Sequence, residues 1–150
     1  MNQLNLPPFS ARIERREGKL YIWDILRQRA VRLTPEEWVR QHMIHYLIGG
    51  LGYPTELLMN EVALQVGETR KRVDSILYDR QLKPLMLLEY KSPEVPLGER
   101  VLQQALRYNM ALRVPYLVLS NGLQHVAYRI DYQTQTFRTL NVIPAYSDLI

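Results

Sequence analysis

The chain has 150 residues, no cysteine and a formal net charge of +4. That length suits one domain with a core of its own, and the lack of cysteine excludes disulfides and thiolate metal centres. The opening MNQLNLPPFSAR lacks the basic-then-apolar run of a secretory leader, and no apolar stretch approaches the roughly 20 residues that cross a bilayer, so a cytoplasmic setting without membrane is expected.

The positive excess is local. Residues 12–32 hold seven basic side chains (Arg12, Arg15, Arg16, Lys19, Arg27, Arg29, Arg32) against three acidic ones (Glu14, Glu17, Asp24), and the rest of the chain balances. A basic arm before a neutral body points to a polyanionic partner; a solvated hairpin face is the alternative. Within this region KLYIWDILRQRAVRL, 19–33, reads as one or two strands with a turn near Arg27–Arg29.

Thr34-Pro35-Glu36-Glu37 is a helix start, with Thr34 as N-cap, Pro35 in the first position and Glu37 closing a capping box. The helix is expected to run to about Ile48 before Gly49-Gly50, with Val39, Met43, Tyr46 and Leu47 as its apolar stripe. After a turn at Gly52-Tyr53-Pro54 and a short helical piece at Thr55 to Leu58, strands are expected at Glu61 to Val66, Arg72 to Tyr78 and Leu85 to Tyr90. The last is apolar enough to be covered on both faces.

A second helix spans Glu99 to Leu112, with Val101, Ala105, Tyr108 and Leu112 on one stripe. A short strand at Tyr116 to Leu119 and a hairpin over 124–140 close the chain. A meander of three strands, a helical crossover and a further strand imply an α/β fold with a mixed sheet and helices on its faces. The organisation is a single domain over 1–150: a basic N-terminal arm or hairpin (1–33), a core (34–122) and a C-terminal hairpin and tail (123–150).

The chemistry concentrates in RVDSILYDRQLKPLMLLEYKSP, 72–93. Side chains alternate across a strand, so Glu89 and Lys91 share a face. If Arg80 to Lys83 is the hairpin loop and Asp79 faces Pro84, Asp74 lies opposite Glu89, about 5 Å away at Cβ. Two adjacent carboxylates repel unless a cation lies between them, and oxygen ligands suit Mg²⁺ or Mn²⁺. A lysine beside such an ion can orient a water or offset charge on a phosphate. The alternative is a cross-strand Asp74–Lys91 pair with Glu89 solvated. His42 and His45, three residues apart on the first helix, could bridge a metal but are more simply helix-surface histidines. No nucleophilic triad is visible.

Asp74 followed by Glu89-Tyr90-Lys91 resembles the signature of the PD-(D/E)XK nucleases. Gln104-x-x-x-Tyr108 on the next helix, together with PEEWVRQ (35–41) and RYNMALRVPYLVLSNG (107–122), is similar to the N-terminal nuclease domain of type I restriction enzyme R subunits. The resemblance spans roughly residues 19–145. It implies a restriction-endonuclease-like fold, a central mixed sheet flanked by helices with extra hairpins at both ends, and a Mg²⁺- or Mn²⁺-dependent DNA nuclease. Asp74, Glu89 and Lys91 would be catalytic, and Asp74, Glu89 and Glu37 would hold the metal. Gln104, Tyr108, Arg72 and Arg40 would bind DNA or support the site.

Family members often carry a small residue where this chain has Tyr90, which points to the opposite face. For Glu37 the capping box is the alternative role, and for Tyr108 core packing. No G-x-x-x-x-G-K-[ST] loop is present, so no ATP is expected and the domain reads as free-standing; a homodimer is compatible with it. The rival functional reading is a catalytically inactive nucleic-acid-binding or interaction module of the same fold, including one serving a larger defence complex.

Overall fold

The computed structural model describes residues 2–149. It begins with a small antiparallel sheet ordered β1-β2-β3, made of β1 (Ile13–Arg16), β2 (Lys19–Asp24) and β3 (Arg29–Arg32). The expected arm or hairpin is therefore three-stranded, and its second turn covers 25–28, overlapping the turn expected near Arg27–Arg29 but starting earlier. The unforeseen strand β1 exists because Glu17 and Gly18 both take positive φ, 49° and 79°, which closes a two-residue hairpin turn. Alternation puts Ile22 and Asp24 on the buried face of this sheet and Tyr21 and Trp23 on the other.

Helix α1 (Pro35–Gly49) starts as expected, with the Glu37 N–H donating to Thr34 Oγ1 at 3.1 Å. Only that half of the capping box forms, because the Glu37 carboxylate accepts from Arg27 and Gln41 instead. The apolar stripe is wider than its sequence pattern. Val39, Met43, Ile44 and Leu47 are fully buried, and so nearly are Glu37, Arg40, Gln41 and His42. The helix is covered from two sides, by the main sheet and by the N-terminal segment: Trp38 Nε1 donates to the Asn2 carbonyl at 2.8 Å, and the Phe9 ring stacks on His45 at 4.1 Å.

The main sheet comprises β4 (Leu58–Val66), β5 (Thr69–Tyr78), β6 (Pro84–Tyr90), β7 (Tyr116–Ser120), β8 (His125–Asp131) and β9 (Thr136–Leu140), in that spatial order. Neighbours are antiparallel except β6 and β7, which are parallel and joined through α2 (Glu99–Leu112). This is the mixed sheet flanked by helices that the pattern implies. β6 is covered on both faces: Met86, Leu88 and Tyr90 pack toward α1, and Leu87 packs toward Ala105 and Leu106 of α2. Each such buried aliphatic side chain contributes about 1.5–3 kcal/mol of transfer free energy, so β6 is fixed in place from both directions.

Two irregularities position the site. Within the β5–β6 ladder Ser75 pairs Leu88, Ile76 pairs Leu87 and Leu77 pairs Met86, the inner register read from the sequence. The hairpin end differs, because an irregularity between Leu77 and Tyr78 makes Tyr78, not Asp79, the partner of Pro84. The ladder stops at Ser75, so Asp74 stands across from Glu89 with no strand partner there, and the Tyr90 N–H donates to Asp74 Oδ2 at 2.8 Å. On the other side the β4–β5 pairing skips from Asn60–Ser75 to Val62–Val73, with Glu61 at φ 57°. Beyond this point β5 pairs with β4 alone, and the two strands leave the main sheet as a ribbon.

A buried polar network ties the small sheet to this fork. Asp24, fully buried, accepts from Arg27 Nε and from Asn60 Nδ2 (3.0 Å). Asn60 Oδ1 accepts from Ser75 Oγ at 2.6 Å, and Ser75 Oγ accepts from the Tyr90 hydroxyl at 2.8 Å. Burial alone would raise the Asp24 pKa, but the donors from Asn60, Arg27 and Leu26 outweigh it and hold the carboxyl below its usual value. Asp24→Ala is expected to cost about 3 kcal/mol in urea denaturation, since it leaves Arg27 and Asn60 facing an empty site. Glu56→Ala, which removes an exposed pair with Arg80, should leave the denaturation midpoint nearly unchanged. Because the folded pKa of Asp24 is depressed, its stabilisation is present above the ordinary carboxylate range of about pH 4 and fades only below it. Equal stabilities for wild type and Asp24→Ala at neutral pH would show that the network holds nothing together.

Candidate active site

Asp74 and Glu89 come from facing positions of β5 and β6, and Lys91 follows Glu89 on the same face, where its backbone N–H donates to the Ser120 carbonyl at 2.9 Å. That face looks toward α2. Glu89, Lys91, Gln104 and Tyr108 line one small pocket of about 60 Å³. Glu89 and Tyr108 also line its neighbour of about 150 Å³, with Arg70, Lys71 and Arg72 on the far wall. Glu89 is thus the hinge of a cleft between the β4–β5 ribbon and α2.

The electrostatics follow from burial and like charge. Burial raises the Asp74 carboxyl above its usual range, opposed by the Tyr90 N–H and the Arg40 charge. Glu89 is pushed further, to about 7, by burial first and by the Asp74 charge second, with Lys91 and Arg40 offsetting part of the rise. Two oxygen-donor carboxylates held together against their own repulsion are suited to a hard divalent cation, which would relieve that repulsion. Mg²⁺ or Mn²⁺ therefore fits Asp74 and Glu89 chemically.

Tyr108 is 37% exposed rather than part of the core, although it shares a stripe with buried Ala105. A hydrogen bond with Gln104 lowers the phenol's pKa, and the Lys71 ammonium, 4.3 Å from the ring centre, lowers it further. The helix face brings Gln104 and Tyr108 to the cleft rim together because they are one turn apart.

The other sequence-predicted residues are placed differently. Glu37 lies on α1 and is buried, and its carboxylate is engaged by Arg27, Arg40 and Gln41, so the structure does not bring it beside Asp74 and Glu89. Among the described residues, no three His, Cys, Asp or Glu side chains cluster as a metal site. Arg40 is 5% exposed and bridges Glu37, Glu61 and the Asp74 carbonyl, a supporting position. Arg72 is exposed and pairs with Glu61 at 2.6 Å. Arg27, counted above among the basic residues of the arm, is taken up by Asp24 and Glu37. His42 is buried against Phe9 and Trp38 instead of lying on the helix surface.

Sequence reasoning missed Glu61. Its charge acts on both Asp74 and Glu89, and Arg72 and Arg40 outweigh its burial to keep it ionised. It also missed Arg70 and Lys71, for which the run Thr69-Arg70-Lys71-Arg72 after a Gly-Glu turn is a signal that could have been used.

The sequence profile of the family described as type I restriction enzyme R protein N terminus matches residues 35–144. The chain belongs to that family. Asp74, Glu89, Lys91, Gln104 and Tyr108 of this R-protein N-terminal domain all fall inside the match, whereas β1, β2 and β3 precede it. A solved fragment assigned as an HsdR subunit of a type I restriction enzyme from Vibrio vulnificus YJ016 superposes with a TM-score of 0.55 at 22% identity. The superposition covers 78% of this chain and 24% of that one, and it supports the restriction-endonuclease-like fold. No curated protein matches the chain.

The raised Glu89 pKa makes a testable statement about the metal-free protein. The folded state favours the protonated form, so this group's contribution to stability is full below about pH 4 and is lost as pH rises toward 7. Glu89→Gln, which stays neutral, should gain on wild type through that interval and hold a constant advantage above it in urea denaturation. A gap independent of pH would mean that Glu89 is not held near Asp74 in the way described.

Proposed function

We propose that the protein is a divalent-metal-dependent DNA nuclease acting in restriction, with Asp74 and Glu89 as the metal-binding carboxylates and Lys91 as the catalytic cation. The observation that carries the reading is the facing pair at the sheet fork, with Lys91 on the same face and Gln104 and Tyr108 across the cleft. A protein that only bound nucleic acid would gain nothing from two mutually repelling carboxylates aimed where phosphates must lie. Membership of the R-protein N-terminal family supports a nuclease-related role and makes DNA the substrate of choice.

The residues divide the work by position. A bound Mg²⁺ or Mn²⁺ would polarise a phosphoryl oxygen and make water a better nucleophile. Lys91 is not committed to any ion pair among the described residues, so its ammonium is free to hold the attacking water and offset charge developing on the phosphate. Gln104 and Tyr108 present an amide and a phenol at the rim, where they can hold the sugar–phosphate backbone. Arg70 and Lys71 supply positive charge on the opposite wall.

Lys91→Ala should slow cleavage severely while leaving the fold and DNA affinity nearly intact. Its side chain lies at a strand end beside the Ser92–Pro93 loop, so its loss should cost under about 1 kcal/mol of stability. The missing charge should cost roughly 10²- to 10³-fold in rate. The test is cleavage of supercoiled and linear DNA by both proteins, with and without Mg²⁺ or Mn²⁺, alongside melting temperatures. Cleavage by Lys91→Ala at the wild-type rate would remove it from the catalytic set. Binding by both proteins with no cleavage by either would establish the inactive binding module instead.

A further inference from the structure

The outer face of the N-terminal sheet does not belong to the cleft and lies outside the residues matched by the family. Its composition is set by strand alternation. Trp23 pairs with Arg12 through a backbone hydrogen bond of 2.9 Å, Tyr21 lies opposite both Glu14 and Arg32, and Arg16 lies opposite Lys19. The side chains that share this face are therefore Arg12, Glu14, Arg16, Lys19, Tyr21, Trp23, Ala30 and Arg32. Four are basic and one, Glu14, is acidic and pairs with Arg16, so the face carries a net charge of three; the two half-buried aromatic rings stand in the middle strand.

The arginines lie on the rings. The Arg12 guanidinium is 4.8 Å from the Trp23 ring centre, and that of Arg16 is 5.3 Å from Tyr21. Arg12, Glu14, Arg16, Trp23 and Ala30 line a shallow groove of about 500 Å³ on this side. The buried face of the same sheet is anchored by Ile22 and Asp24, which fixes the middle strand that carries Tyr21 and Trp23.

We infer that this face is a binding platform for single-stranded nucleic acid, with bases stacking on Tyr21 and Trp23 and phosphates paired by Arg12, Arg16, Lys19 and Arg32. Charge fixes the sign of the partner, and the rings fix its class. An acidic peptide would satisfy the cations but leave the rings unused, and a duplex keeps its bases stacked inside and unavailable to them. A cation over an aromatic ring at an exposed site is held more weakly than a stacked base. A base therefore displaces the guanidinium, which becomes free to pair with the adjoining phosphate. The net charge of three matches the phosphates that flank and join two adjacent nucleotides, and the two rings match their bases.

The inference does not rest on the catalytic reading, and the test keeps the two apart. Anisotropy of a fluorescent oligo(dT) is measured in EDTA, where metal-dependent cleavage is silent, with an unlabelled duplex and polyglutamate as competitors. Wild type should bind oligo(dT) in preference to both. Tyr21→Ala with Trp23→Ala should weaken binding about tenfold or more, as expected for lost base stacks, and should retain the dependence on salt. Tyr21→Phe with Trp23→Phe keeps the π faces and should bind like wild type. Arg12→Gln, Arg16→Gln and Arg32→Gln together should flatten the salt dependence.

The platform is overturned if the folded double-alanine protein binds oligo(dT) as wild type does, or if duplex or polyglutamate competes as well as the oligonucleotide itself. If the double-alanine protein does not fold, the arginine variants decide: an unchanged salt dependence overturns the platform, and a flattened one with intact binding by the phenylalanine variants supports it.

Discussion

Arg40 is the side chain on which the rest of the arrangement depends. Its guanidinium is buried on α1, ion-paired with Glu37 on its own helix, hydrogen-bonded to Glu61 on β4 and to the Asp74 carbonyl on β5, and it lies 5.6 Å from the ring centre of Tyr90 on β6. A charge taken out of water in this way costs several kcal/mol, and only a set of partners that satisfies it makes the position tolerable. That requirement acts as a constraint on register. A slip of any one of the four elements by a residue would leave a buried charge unpaired, at a cost of about 3–5 kcal/mol.

The same constraint explains where the carboxylate pair is. β5 hydrogen-bonds to β6 only from Ser75 onward, and it regains β4 only after skipping Glu61 and Asp74. Arg40 fills the gap from the α1 side, holding Glu61 by its carboxylate and Asp74 by its carbonyl. With its backbone fixed, the Asp74 side chain is free to turn to the other face, where it meets the Tyr90 N–H and the field of Glu89. Burial raises the pKa of both carboxylates, and at Glu89 the Asp74 charge adds to the rise. The cooperative network behind them, from Asp24 through Asn60 and Ser75 to Tyr90, is what a candidate site under such tension needs.

Much of this was legible because local signals agreed. Thr34-Pro35 set the start of α1, Gly98 and Pro115 bracketed α2, and an all-apolar Leu85–Leu88 marked the central strand. The inner β5–β6 register was readable even though the assumed hairpin pairing of Asp79 with Pro84 was not, since the irregularity lies at the turn and the pairs beyond it keep their places. Glu61 was not legible: a positive φ on a glutamate inside a strand has no sequence signature, so its role at the fork was hidden. Glu37 was misleading for the opposite reason. A glutamate three residues after a threonine N-cap suits a capping box, and one on the helix of this family suits a metal ligand, yet its actual partners, Arg27 and Gln41, come from a turn ten residues earlier and from the next helical turn. β1 was missed because its residues, Ile13-Glu14-Arg15-Arg16, are almost all charged and exposed, and only pairing with β2 makes them a strand.

If the fork assembles a divalent-metal site from Asp74 and Glu89, metal-free protein should take up Mn²⁺ there. Titration calorimetry measures this, with wild type, Asp74→Asn and Glu89→Gln compared in the presence and absence of DNA. Wild type should show saturable binding that either substitution abolishes while the fold is kept. Absence of saturable binding by wild type even with DNA present, or undiminished binding by Asp74→Asn, would contradict that assignment.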